Sequence, residues 1–169
     1  IFAEKDGVTY STAPNLTPCV HTSEGIVYAD HSNDTLYRMT DGMTPSAFIV
    51  RTPRVKETKP NKILRFDNET EDWMFLSGIE MAYDFSKNEG MRQTNYGIEK
   101  ASGNIFELTF IHPDYEGKEY SPTALNVRYY PADELLTALG EGKLKGKLKE
   151  MAQLLDEEDN GVVMILKKK

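Results

Sequence analysis

The sequence predicts a mainly β fold of short antiparallel strands up to Tyr130, then a helical segment, then a closing terminal strand. Three observations carry this expectation. Runs rich in β-branched and aromatic residues recur before Pro131 at roughly nine-residue spacing, with turn residues between them. From Pro131 onward the apolar residues fall at helical spacing instead. The final apolar run, "GVVMIL" (161–166), follows "DNG", whose Asn and Gly tolerate the positive φ of a turn. Consecutive short strands of this kind build sandwiches, barrels or propeller blades.

The elements follow in order. "GVTYST" (7–12), "PCVHT" (18–22), "GIVYADH" (25–31), "DTLYRMT" (34–40) and "SAFIVR" (46–51) are strand-like, and "SEG", "HSND" and "TDGMTP" punctuate them. "TPRVKETKPNK" (52–62) is basic, Pro-containing and aperiodic, which predicts a mobile loop. Strand-like runs resume with "ILRFDN" (63–68), "WMFLSGIEMAYDF" (73–85), "MRQTNYGIEK" (91–100), "NIFELTFI" (104–111) and "ALNVRYY" (124–130). Gly103 and Asn104 mark a hairpin reversal. "PADELLTALGEG" opens on Pro and two acids and ends on Gly, the signature of a short helix. Leu144, Leu148, Met151 and Leu155 then share one helical face, which predicts packing against a sheet rather than a partner-binding helix; Gly146 weakens the first turn. One domain of 169 residues is expected, with blade-type strands over 1–130, helices over 131–156 and a closing strand over 161–168.

Composition narrows the function. The net charge of −7 and pI near 5.0 argue against nucleic acid, whose phosphates need a basic footprint. The basic residues between Lys143 and Lys149 are followed by acids and read as a solvated helix face. The terminal apolar run is far below the ~20 residues of a membrane-spanning helix. Cys19 has no second cysteine to pair with, and it reads as a small, semi-buried strand residue. An opening Ile1 in place of Met is what a processed chain or a piece of a longer one would show.

Four segments together resemble a known family. "NDTLYRM" (33–39), "NETEDWMFL" (68–76), "ALNVRYYPADEL" (124–135) and "LKEMAQLLDEEDNGVVMILKKK" (148–169) occur in the order expected of six-bladed β-propeller proteins from the cell envelope of Gram-negative gut bacteria. The last is similar to that family's close, a helix followed by "eeDNPvLmivklK"; this chain carries Gly161 where the family has Pro. The resemblance implies the C-terminal part of a propeller, with about three of six blades at 40–50 residues each. It also implies an exported, lipoprotein-like protein of the periplasm or cell surface, and it brings no catalytic residues. Three blades leave sheet edges open, so self-association through those edges is expected.

No catalytic, metal-binding or cofactor motif is recognisable: G-x-S-x-G, H-E-x-x-H, C-x-x-C and Gly-rich phosphate loops are all missing from the sequence. The three histidines, His21, His31 and His112, lack ligand-like spacing, and "DHSND" (30–34) and "HPD" (112–114) read first as turn chemistry. The aromatics Trp73, Phe75, Tyr83, Phe85, Tyr96, Tyr115, Tyr120, Tyr129 and Tyr130 could stack on sugars or peptides, but packing between sheets explains them more simply. The expected function is a non-enzymatic binding or scaffold module for a protein, peptide or glycan, with no cofactor and no metal. The alternative is a propeller-type hydrolase or lyase in which His21, His31 and His112 converge with Asp30 or Asp114. The terminal run is expected to be an interior strand with both faces covered: Val162, Met164 and Leu166 on one, Val163 and Ile165 on the other.

Overall fold

The structure, a computed structural model, describes the chain except for residues 6, 14, 15, 17, 18, 31, 32, 41–43, 121–126 and 166–169; the side chains of Lys5 and Tyr120 are also outside the description. The fold is mainly β, with antiparallel sheets and two helices. Two compact units are present, Ile1–Leu108 and Thr109–Lys169.

The first unit opens on a hairpin, β1 (Phe2–Lys5) with β2 (Val8–Ser11), closed by the Ile1 amino group donating to the Thr12 carbonyl at 2.8 Å. A four-stranded meander follows: β3 (Cys19–Thr22), β4 (Gly25–Ala29), β5 (Thr35–Met39) and β6 (Ser46–Val50), paired in chain order. Strict alternation builds it. Val20, Val27 and Arg38 lie opposite one another across three strands, as do Ala29 and Leu36 across two, and this face is buried. The opposite face carries Cys19, Tyr28 and Tyr37 in one row. Cys19 is exposed, not semi-buried, because the strand's alternation puts Val20 inward instead.

The second sheet has the order β12-β11-β8-β7, again antiparallel: β7 (Lys62–Glu69), β8 (Trp73–Glu80), β11 (Gln93–Glu99) and β12 (Ile105–Leu108). A small hairpin, β9 (Tyr83–Asp84) with β10 (Glu89–Gly90), interrupts it. The run 73–85 is therefore two strands, broken where the Met81 N–H turns to the Asn61 carbonyl at 2.7 Å. The basic stretch 52–62 is anchored rather than loose. It holds a 3-10 turn, Val55–Glu57, whose Val55 is buried against Ile63 and Ile79. The Val55 N–H donates to Asp34 Oδ1 at 2.6 Å, the Thr58 hydroxyl donates to the Val55 carbonyl at 2.9 Å, and the Lys62 N–H donates to that hydroxyl at 2.8 Å. Pattern alone hid this, because one buried valine has no periodicity.

The second unit holds β13 (Phe110–Ile111), β14 (Glu119–Tyr120), β15 (Val127–Tyr130), α1 (Ala132–Gly140), α2 (Gly146–Ala152) and β16 (Val162–Ile165). Its core gathers Tyr130, Leu135, Ala138, Leu144, Leu148 and Ala152. Pro131 precedes α1, and Asp133 and Glu134 complement the helix's positive end. α2 is shorter than the leucine spacing suggests. Leu144, Leu148 and Leu155 reach the core, but Met151 points out, 39% exposed, and Ala152 takes the inward position. Gly146 begins α2 at φ +54°, where a Cβ would crowd the Asp114 carboxylate; Asp114 accepts from the Leu148 N–H at 3.4 Å.

The terminal strand forms but is not interior. Among the described residues β16 pairs only with β15, the strand just before the helices, in a two-stranded ribbon. Val162 and Met164 pack on the helices, while Val163 and Ile165 are 58% and 62% exposed. Both faces are therefore not covered: a ribbon resting on one helical layer has only one side to bury. Leu166 and the lysines after it lie outside the described residues. At Gly161 a Cβ would overlap the Tyr130 carbonyl oxygen, so the glycine is needed for close backbone approach at the ribbon's start.

The two sheets of the first unit are joined by charge. The Arg38 guanidinium bonds Glu24 through Nη1 and Glu69 through Nη2, the latter at 2.7 Å; Lys100 bonds Glu24 at 2.7 Å and Glu69 at 3.0 Å. Glu24 and Arg38 belong to the first sheet's turns and strands, Glu69 and Lys100 to the second's. The Glu69 side chain is fully buried, whereas that of Glu24 is half exposed. Burial pushes Glu69 up, but the neighbouring Thr22 hydroxyl, Lys100 and Arg38 outweigh it and hold its carboxyl below the ordinary 4.5. The hydrogen bond from Lys100 does most to hold Glu24 below 4.5.

Glu69→Ala is expected to cost about 3–5 kcal/mol, since it strands two cations in a covered site, while Glu24→Ala should cost at most about 1 kcal/mol. Denaturant unfolding measures both; equal losses would contradict the assignment. Folded Glu69 and Glu24 bind protons less readily than in the unfolded chain. Their contribution is therefore present above pH 4.5 and lost as pH falls from there through the folded values.

Candidate functional site

The first unit holds an open cleft of about 450 Å³. One wall is the end of β6 and the start of the anchored segment, Ile49 to Pro53 with Thr58. The floor comes from the second sheet, where Leu64, Leu76, Gly78, Tyr96, Ile98 and Ile105 line it. The strand register explains why these meet. Leu64 lies opposite Gly78, Leu76 opposite Tyr96, and Ile98 opposite Ile105, so alternate positions on four strands present one apolar face. Gly78 leaves room for the Tyr96 ring, whose edge would sit 3.0 Å from a Cβ there.

Three polar side chains matter in this lining. Lys62 is engaged with Glu80 at 3.2 Å. Tyr96 brings a phenol. Arg51 stands apart: its Nη1 is buried and has no hydrogen-bond partner among the described residues. A buried guanidinium nitrogen without an acceptor is costly, and protein interiors rarely leave one so.

The opposite face of the second sheet carries a hydrogen-bonded polar cluster beside the buried Ile63 and Ile79. Ser77 donates to Asp67 Oδ2 and accepts from Gln93 at 3.0 Å; Arg65 bonds Asp67 Oδ1 at 2.6 Å, and Gln93 bonds Asn95 at 2.8 Å. Burial raises the Asp67 carboxyl above its ordinary value, against the opposing pull of Ser77 and Arg65. No motif in the sequence announced this cluster, though Arg65 and Asp67 on β7, and Gln93 and Asn95 on β11, alternate on either side of Ser77 on β8.

His21 lies on β3 in the first unit, His112 lies at the end of β13 in the second, and His31 is outside the described residues. His112 is a buried core residue. The Asp114 N–H donates to its Nδ1 at 3.0 Å, which leaves the proton on Nε2, 3.0 Å from the Met164 sulfur. Tyr130 and Tyr115 meet the ring edge-on at 5.5 and 6.3 Å. Burial lowers the His112 pKa, Asp114 opposes this and Lys118 adds to it. Among the described residues no cluster of three His, Cys, Asp or Glu side chains is placed to hold a metal.

The aromatics divide into separate packing groups. Trp73 meets Phe106 at 5.8 Å; Tyr83, Phe85 and Tyr10 form a second group; Tyr115 and Tyr130 surround His112. Phe75 lies on β8, Tyr129 is exposed on the ribbon, and the Tyr120 side chain is outside the described residues. Tyr96 alone among them lines the cleft.

Titration of His112 by proton NMR should give a pKa below 6.5; a value at or above it would contradict a neutral, buried ring. Because the folded value is lowered, the ring's contribution to stability is present above pH 6.5 and lost as pH falls from there through the folded value. Met164→Ala should cost about 1–3 kcal/mol, whereas Ile165→Thr, on the exposed face, should stay within about 0.5 kcal/mol.

No family model matches the chain, and neither the curated proteins nor the solved structures include a significant match.

Proposed function

We propose that this chain supplies blades of a six-bladed β-propeller of the cell envelope and serves as a non-enzymatic binding module, with the cleft as its ligand seat. The observation that carries the architecture is the pair of successive four-stranded antiparallel meanders, β3-β4-β5-β6 and β7-β8-β11-β12, each a blade's worth of strands. Their first strands, β3 and β7, lie side by side, as inner strands of adjacent blades do. In the second unit β13–β14 and β15–β16 are four further strands, with both helices inserted before the last. The exposed ribbon face of Val127, Tyr129, Val163 and Ile165 is the kind of surface a further blade would cover, whether from a longer chain or a second copy. A location in the periplasm or at the cell surface follows from the envelope resemblance alone.

The binding role is supported by the cleft's lining, which is aliphatic apart from a few polar side chains. A hydrolase or lyase would need acid–base groups converging on one point, whereas His112 is a packed core residue that accepts from the Asp114 N–H and faces the Met164 sulfur.

Titration with the neutral apolar dye Nile red should show one saturable site per chain, lost in Ile98→Trp, which fills the cleft, with the melting transition kept. Absence of binding, or binding indifferent to the filled cleft, would refute the seat. Light scattering should show concentration-dependent association that Val163→Lys weakens; a monomer at all concentrations would count against the blade assignment.

A further inference from the structure

We propose that the cleft takes a small aliphatic carboxylate, its hydrocarbon tail on the sheet face and its carboxylate on Arg51. This rests on the binding role proposed above and names the ligand's chemistry. Two independent observations support it. The first is the lining, a continuous apolar floor of Leu64, Leu76, Ile98 and Ile105, with Gly78 deepening it beside Tyr96. At about 450 Å³ the cleft lies in the size range of small-ligand pockets and is too small for a folded partner.

The second is charge. Arg51 lines the cleft, and its Nη1 is buried with no acceptor among the described residues. Burying that nitrogen unpaired costs free energy that an incoming carboxylate returns, because a charge-assisted bond forms where none existed. Three acids of this region are engaged by other groups: Asp34 Oδ1 accepts from the Val55 N–H, Glu57 accepts from the Arg54 N–H, and Glu80 pairs with Lys62. Residues 51–62 carry five basic side chains against one acid in a chain of net charge −7. An anionic head is therefore drawn to this rim of an otherwise acidic protein. A neutral tail without a head would leave Arg51 as it is, and a cationic head would add repulsion.

Displacement of Nile red from the whole chain by octanoate, 1-octanol and octylammonium tests the assignment. Octanoate should displace the dye at about tenfold lower concentration than 1-octanol, with octylammonium weakest. Arg51→Gln should erase the advantage of octanoate over 1-octanol while the dye still binds. The same substitution removes a buried nitrogen that has no acceptor, so the melting temperature of the unliganded protein should hold or rise. Equal displacement by octanoate and octanol would overturn the headgroup while leaving the seat intact. Failure of Nile red itself to bind would overturn both. A fall in melting temperature for Arg51→Gln would show that the guanidinium serves the fold, and would overturn its assignment to a ligand.

Discussion

The buried contact between Arg38 and Glu69 is the constraint on which the first unit depends. Each sheet alone is a four-stranded meander with one apolar face, and two such faces can slide. A charge pair sealed between them cannot, because any shift that parts the guanidinium from the carboxylate leaves both desolvated and unpaired. Arg38 also stacks on the Phe48 ring at 3.7 Å, and Phe48 meets Phe66 edge-on at 6.1 Å. The ion pair and the aromatic pair thus form one continuous seam from the turns of the unit to its core. Lys100 and Glu24 extend the seam toward solvent, where each bond is worth less.

That seam sets the cleft. Its wall is the end of the first sheet and its floor is the second, so the distance between them is fixed by how the sheets are joined. The anchored segment after β6 completes the wall: Val55 is sunk in the core, and Asp34 holds its backbone. Arg51 sits between β6 and this anchor, and its backbone N–H bonds the Asp34 carbonyl at 2.9 Å.

Much of the fold was legible in the sequence because it depends on period. The strands of the first sheet, the switch to helix after Pro131 and the terminal strand all follow from alternation, spacing and turn residues. What was not legible depends on tertiary context. Two-residue strands such as β9, β10, β13 and β14 are too short to show a period. The leucine spacing through Leu155 suggested a longer helix than α2, since spacing cannot reveal that Leu144 precedes the helix and bridges to Tyr115 instead. The two-sided burial expected of Val163 and Ile165 failed because apolarity marks what could be buried, not what a ribbon has available to bury it.

The candidate site was less legible still. Its floor is a set of ordinary strand residues that become a surface only through cross-strand register. Arg51 looked like one more charge in a basic loop; nothing in "FIVRTPR" distinguishes a solvated arginine from a stranded one. His112 shows the reverse. In the sequence it read first as a turn residue, with catalysis as the alternative, and in the fold it is a core residue wedged between two tyrosines and a methionine.

Native-state hydrogen exchange tests the central claim, that the sealed ion pair makes two sheets into one body. The slowest amides of β4 and β5 should open with the same free energy as those of β8 and β11, and Glu69→Ala should lower both together. Independent opening of the two sheets in the unaltered protein, with one staying protected while the other exchanges, would contradict it.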